Sequence, residues 1–248
     1  MTDGPVRWVS AFIDVPPELV GRAASFWTSV TASTVGSAAG DQEEFLPLDP
    51  PDADPCLWLQ RTQDGPTRCH VDLHVADVDD VAARAVARGA TRVGATDGLV
   101  VLASPAGLPF CLASHRDQAV RPGPVGADGA RSVVDQVCLD IPPGRFDEEC
   151  DFWAGLTGWP RTRVQQHDEL NRLVRPAGIP YAFLLQRLDD EQPAASAHLD
   201  LACEDRDASS AQQQAWGADV VRRTPEWTVM RDPAGLTYCN TARRPGEV

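Results

Sequence analysis

The chain has 248 residues, 43% hydrophobic and 23% charged, with a formal net charge of −14. That balance suits globular domains with ordinary cores and excludes a protein that wraps nucleic acid, which needs a basic face. Seven cysteines with no CxxC spacing, an N-terminal MTDGPVRW without a basic or apolar leader, and no apolar run of bilayer length together predict a cytoplasmic protein with reduced thiols.

RWVSAFIDV (Arg7–Val15) is rich in β-branched and aromatic residues and reads as a strand. A helix follows, because Leu19, Ala23, Phe26, Trp27 and Val30 form one apolar stripe at helical spacing. Short strands are expected in EFLPL and CLWLQR, with a fainter one in TVGSAAGDQ. The order then restarts. CHVDLHVAD is a strand, and DVDDVAARAVARGA is a helix with Asp77 or Asp79 as N-cap and Gly89 as its left-handed stop. LVVLASPAGLPFCLA closes the unit as a hairpin turned at Pro-Ala-Gly.

All of this occurs twice. DVPPELVGRAASFW at Asp14 matches DIPPGRFDEECDFW at Asp140, an offset of 140 − 14 = 126. HVDLHVADVD at His70 matches HLDLACEDRD at His198, and SPAGLPFCL at Ser104 matches DPAGLTYCN at Asp232, both at an offset of 128. A two-residue insertion between Arg187 and His198 explains the step. The expected domains are 1–117 and 132–244, joined by the Pro- and Gly-rich linker 118–131.

Strand–helix–three strands, twice per domain, with Phe-Trp late in the first helix, a His opening the fifth strand, a Gly-Ala helix exit and a Pro-Ala-Gly hairpin, resembles the vicinal oxygen chelate superfamily. Its members include glyoxalases, extradiol dioxygenases, fosfomycin-resistance transferases and bleomycin-binding proteins. More narrowly the chain resembles tandem glyoxalase-like proteins of actinobacterial type. The resemblance implies an α+β fold of four βαβββ modules, forming two glyoxalase-like domains with curved mixed sheets around a cleft. It also implies that module pairing is met within one chain, giving a pseudo-dimeric monomer, with a homodimer of that monomer left open.

Metal-dependent members of that superfamily take ligands from the first strand, the start of the fifth strand and the last strand, where a Glu is expected. Those places hold Ser10, His70 and Cys111 in the first copy and Gln136, His198 and Cys239 in the second. The carboxylate is thus replaced by a thiol twice. Ser10 is a poor ligand, so no metal is expected in the first copy, while Gln136, His198 and Cys239 are a candidate zinc set in the second. No other cofactor is implied.

Asp72 and Asp200 follow the histidines by two residues and share their strand face, where a carboxylate would fix an imidazole tautomer. His74 continues that face in the first copy, and Ala202 replaces it in the second. Hydrogen-bonded histidines kept by the fold are the alternative. Cys111 and Cys239 read either as nucleophiles paired with imidazole or, more commonly for free cysteines, as small buried hydrophobes. The other five cysteines read as packing.

Trp27 and Trp153 belong to helical stripes and read as core, whereas Trp58, Trp159 and Trp227 are candidates to line a cleft. Asp147–Glu149 opens a helix and reads as a solvated, dipole-favoured face. Two functions compete. One is a protein that binds a small organic molecule, drug or metabolite, without the usual metal set; the other is a metal-dependent lyase or isomerase confined to the second copy. A third makes one domain catalytic without metal and the other structural. No membrane or nucleic-acid partner is expected.

Overall fold

The structure is a computed structural model that describes residues 4–63, 65–127 and 129–246. The first three residues of the N-terminal segment and Asp128 of the expected linker lie outside them. In the first copy the elements run β1 (Val6–Val15), α1 (Val20–Thr31), β2 (Thr34–Val35), β3 (Phe45–Asp49), β4 (Leu57–Arg61), β5 (Arg68–Val75), α2 (Val78–Ala87), β6 (Thr91–Thr96), β7 (Leu99–Ala103) and β8 (Pro109–Ser114). The second repeats them as β9 (Ser132–Ile141), α3 (Phe146–Thr157), β10 (Arg161–Val164), β11 (His167–Leu173), β12 (Ala182–Arg187), β13 (Ser196–Cys203), α4 (Arg206–Ala215), β14 (Asp219–Arg223), β15 (Trp227–Arg231) and β16 (Thr237–Thr241).

Each copy builds one eight-stranded mixed sheet, in the orders β2-β3-β4-β1-β5-β8-β7-β6 and β10-β11-β12-β9-β13-β16-β15-β14. The pairs β1–β4, β5–β8 and β13–β16 are parallel, whereas β7–β8 and β15–β16 are antiparallel hairpins. The result is an α+β architecture of two repeated βαβββ pairs whose eight-stranded sheets stay open. Among the described residues no helix is long and apolar enough to cross a membrane.

Local chemistry places the helix ends. Asp77, not Asp79, caps α2 by accepting from the Asp80 amide, and Asp205 caps α4 by accepting from the amides of Asp207 and Ala208. The exits Gly89 and Gly217 both have positive φ, 103° and 101°, a conformation that glycine adopts without strain. The faint strand expected in TVGSAAGDQ is only Thr34–Val35. Its glycines and alanines offer little side chain to pack across a sheet.

Packing divides the chain differently from the repeat. One compact unit comprises the residues up to Ser10, His70–Ala119 and Val137–Ala197; the other comprises Ala11–Cys69, Val120–Gln136 and the residues from His198 onward. In the first unit Phe110 of β8 packs edge-on against Phe152 and Trp153 of α3, at 5.9 and 5.0 Å between ring centroids. In the second unit Phe26 and Trp27 of α1 pack on Tyr238 of β16, at 5.9 and 5.3 Å. Each unit therefore joins a helix of one copy to the last hairpin of the other. Trp27 and Trp153 are fully buried, as their stripes require.

Glu149 departs from its expected solvated role. It is completely buried, accepting from the Trp153 indole N–H at 2.7 Å and from the Ala106 amide at 2.8 Å. Only Glu149 of the first turn of α3 meets the hairpin of the other copy; Asp147 and Glu148 stay exposed, as expected.

Candidate functional site

Strand alternation selects the residues of the site. On β16, Tyr238 and Asn240 both reach Gln213 of α4, at 2.8 and 2.7 Å, so the residues between and beyond them point away from the helix. Cys239 is on that helix-free face. Its register neighbours are Asp200 on β13 and Val229 on β15. Trp227, two residues before Val229, shares the face and is half-exposed like it, while Thr228 and Met230 on the other side are fully buried. In the first copy Cys111 likewise neighbours Asp72 and Val101, and Leu99 and Val101 are half-exposed while Val100 and Leu102 are buried.

The polar groups converge at one point. In the second copy His198 Nε2 lies 3.4 Å from Asp200 Oδ1 and 3.6 Å from Cys239 Sγ. In the first, His70 Nε2 lies 3.6 Å from Asp72 Oδ1, and the donor atoms of His70, Asp72 and Cys111 all lie within 4.8 Å of one another. Carboxylate and thiol both face the same imidazole nitrogen in the second copy. A catalytic triad needs them on opposite ring nitrogens, one to orient the base and one to be deprotonated by it. The arrangement suits shared binding better than nucleophile activation.

The first-strand residues behave differently in the two copies. Gln136, almost fully buried, donates its amide to Asp200 Oδ2 at 2.6 Å, and its Oε1 is buried with no hydrogen-bond partner among the described residues. Burial pushes the Asp200 carboxyl upward, but the His198 imidazole, Arg243 and the Gln136 amide outweigh it and hold the group below its ordinary value. Arg243 is itself fixed by a bidentate pair with Asp135, at 3.0 and 2.7 Å. In the first copy Ser10 turns sideways to His74, with Oγ 2.9 Å from Nε2. Burial, helped by the nearby His115, lowers the His74 pKa to about 4, so His74 is neutral at pH 7.

Of the aromatic candidates, Trp227 joins the second-copy face. Trp58 stacks on Phe12, with centroids 5.8 Å apart and planes at 21°, and its indole nitrogen is buried without a partner among the described residues. Trp159 is buried against Phe183 and lines no open face. Of the cysteines read as packing, Cys138 shares the strand face of Gln136. It lies two residues beyond that glutamine and donates to Gln186 Oε1 at 3.6 Å. Alternation from Gln136 is the signal that points to it.

A family model for a glyoxalase-like domain matches residues 11–113 and again 136–241. No curated protein matches the chain in sequence. Among solved structures, a Mn(II)-bound glyoxalase from Novosphingobium aromaticivorans is 18% identical, covering 96% of this chain and 82% of its own, with a TM-score of 0.65. A mutant 4-hydroxymandelate synthase from Streptomyces coelicolor is 16% identical, covering 98% and 94%, with a TM-score of 0.64. The 2,2',3-trihydroxybiphenyl 1,2-dioxygenase of Sphingomonas wittichii is 13% identical, covering 95% and 90%, with a TM-score of 0.63. At such identities the likeness is one of fold. The donor set does not fit a hard ion of the Mn(II) class, because the last-strand carboxylate is a thiol in both copies and Ser10 is committed to His74 in one.

Proposed function

The chain belongs to the glyoxalase-like domain family, within the vicinal oxygen chelate superfamily, in two copies, and from that premise we propose that it binds a small, largely apolar organic molecule on the helix-free face of its sheets. The family's usual three-ligand metal set is not required for this. A half-exposed apolar floor beside a buried polar cluster carries the reading: Trp227 and Val229 beside His198, Asp200 and Cys239, and Leu99 and Val101 beside His70, Asp72 and Cys111. Ligand pockets combine such apolar surface with a few convergent polar groups that fix orientation. Drug or metabolite sequestration is the role that follows.

The test is a thermal-shift panel of aromatic metabolites and aromatic antibiotics on chelator-treated protein. A binding compound raises the melting temperature, and the shift falls in His198→Ala and Trp227→Ala. A panel that shifts nothing, beside turnover that depends on added metal, rejects the reading.

A second reading, a metal-dependent lyase or isomerase, is favoured by one feature. Gln136 Oε1 is a buried acceptor with no partner among the described residues, and His198 and Cys239, expected beside it, stand 3.6 Å apart. Its check is the divalent-ion content of protein purified without chelator, before and after Gln136→Ala or His198→Ala.

A further inference from the structure

We propose that the first copy carries a second ligand site, on the helix-free face of its first βαβββ module, built for a planar aromatic carboxylate. Trp58, stacked on Phe12 and flanked by Phe45, receives the ring, and Arg68 receives the carboxylate. The site is independent of the apolar floors proposed above and takes a ligand of different charge.

Alternation and register place these residues on one face. Ala11 and Ile13 of β1 and Leu57 and Leu59 of β4 are buried in the core. Phe12 and Asp14 therefore point to the other side, as do their register partners Trp58 and Gln60, which are half-exposed. Phe45 of β3, the partner of Gln60, is half-exposed too and meets the Phe12 ring edge-on, at 5.9 Å between centroids. Trp58 lies 5.8 Å from Phe12 with its plane tilted by 21°, so the rings form a stack whose outer member is partly open to solvent. A further flat ring extends such a stack at similar spacing.

Asp14 holds the charged end. Its Oδ2 accepts from Arg68 Nε at 2.7 Å, and among the described residues the guanidinium makes no other hydrogen bond. The Asp14 side chain is 4% exposed and that of Arg68 59%. The buried acid fixes the fork and leaves its remaining N–H groups for a second carboxylate, whose two oxygens they match. Asp14 stands two residues beyond Phe12, about 7 Å along the strand, a separation suited to a two-ring acid.

The second copy keeps the frame and drops the recognition groups. Asp14 and Gln60 recur as Asp140 and Gln186, whereas Phe12, Trp58, Phe45 and Arg68 are matched by Cys138, Leu184, Leu170 and Ser196. The same module is built there without the rings or the cation. Folding does not require them, which leaves recognition as their role.

2-Naphthoate is the probe, and 2-naphthamide, its uncharged counterpart, is the control. Binding to chelator-treated protein is followed by isothermal titration calorimetry. The expected result is one naphthoate per chain, bound about 10-fold or more tightly than the amide, as a hydrogen bond to a charged group gives. Cyclohexanecarboxylate, which cannot stack, binds more weakly than naphthoate. Trp58→Leu and Arg68→Ser introduce the residues of the second copy. The first weakens acid and amide alike; the second weakens the acid by about 10-fold or more and leaves the amide unchanged. Trp227→Ala leaves naphthoate binding as it was, and circular dichroism confirms that each variant folds. No naphthoate binding to wild-type protein, or equal binding of acid and amide, overturns the proposal without recourse to any variant. Naphthoate binding that is lost in Trp227→Ala and kept in Trp58→Leu overturns it too, while leaving the apolar-floor reading in place.

Discussion

Trp27 donates its indole N–H to Asp232 Oδ2 at 2.8 Å, across 205 residues of chain. Asp232 also accepts from the amides of Ala234 and Leu236, so one carboxylate both shapes the last hairpin and receives a helix from the other copy. The corresponding contact in the other unit is made with a carboxylate of different origin. Ser104 stands where Asp232 does; its hydroxyl accepts from the Leu108 amide and bonds Glu149, which, at the place of Ala23, supplies the carboxylate for Trp153. The acid has moved from the hairpin to the helix.

Removing either acid strands a buried indole donor. Asp232→Ala and Glu149→Ala are each expected to cost about 1–3 kcal/mol, the usual penalty for a buried polar group left unpaired. Urea unfolding followed by circular dichroism measures this. A loss below a few tenths of a kcal/mol in both variants would show that the contacts are incidental.

The same two groups give stability a pH dependence. Burial raises the carboxyl pKa of both Glu149 and Asp232, against the opposing pull of their hydrogen-bond donors. In the folded state they hold protons that the unfolded chain has released. Their contribution is therefore complete below the ordinary values of 4.5 and 3.8 and is lost as pH rises through them toward the raised folded values. Glu149→Gln and Asp232→Asn are expected to flatten that part of the stability profile. An unchanged slope in both would contradict the assignment.

Five features were legible in the residues: the repeat, the element order, the helix exits, the Pro-Ala-Gly hairpins and the burial of Trp27 and Trp153. Local spacing governs all of these. What the sequence concealed depends on which surfaces meet. Glu149 looked like an exposed dipole-stabilising acid because a helix N-terminus gives no sign of the hairpin that covers it. That the Gln136 amide nitrogen donates to Asp200 has no sign in the sequence, because the partner lies on another strand 64 residues away. Asp72 and Asp200 were placed correctly on the histidine face, but alternation alone could not tell which ring nitrogen each would approach. His74 found its partner, Ser10, on a strand 64 residues away in sequence.

The thiols should separate into two classes. Burial pushes Cys69 and Cys150 up to about 12 and Cys203 up to about 11, which suppresses the reactive thiolate. Cys111 and Cys239 instead adjoin half-exposed strand faces. Iodoacetamide at pH 8, read by peptide mass spectrometry, is expected to label these two before Cys69, Cys150 and Cys203. Equal labelling of all five in the folded protein would refute that ordering.

Assembly has its own check. The Trp27–Asp232 and Phe110–Trp153 contacts pair modules of the two copies inside one chain, so we propose that no second chain is needed to complete either unit. Light scattering should give the monomer mass of 26.8 kDa. A dimer that loses its fold on dilution would count against it.

The central claim is tested most directly by a crystal structure of the chelator-treated protein with the compound that shifts its melting temperature most. The account predicts ordered ligand density over Trp227 and Val229, or over Leu99 and Val101, with a polar atom within hydrogen-bond reach of the neighbouring His–Asp–Cys group. Density confined to any other surface, with both of these faces filled only by solvent, would contradict it.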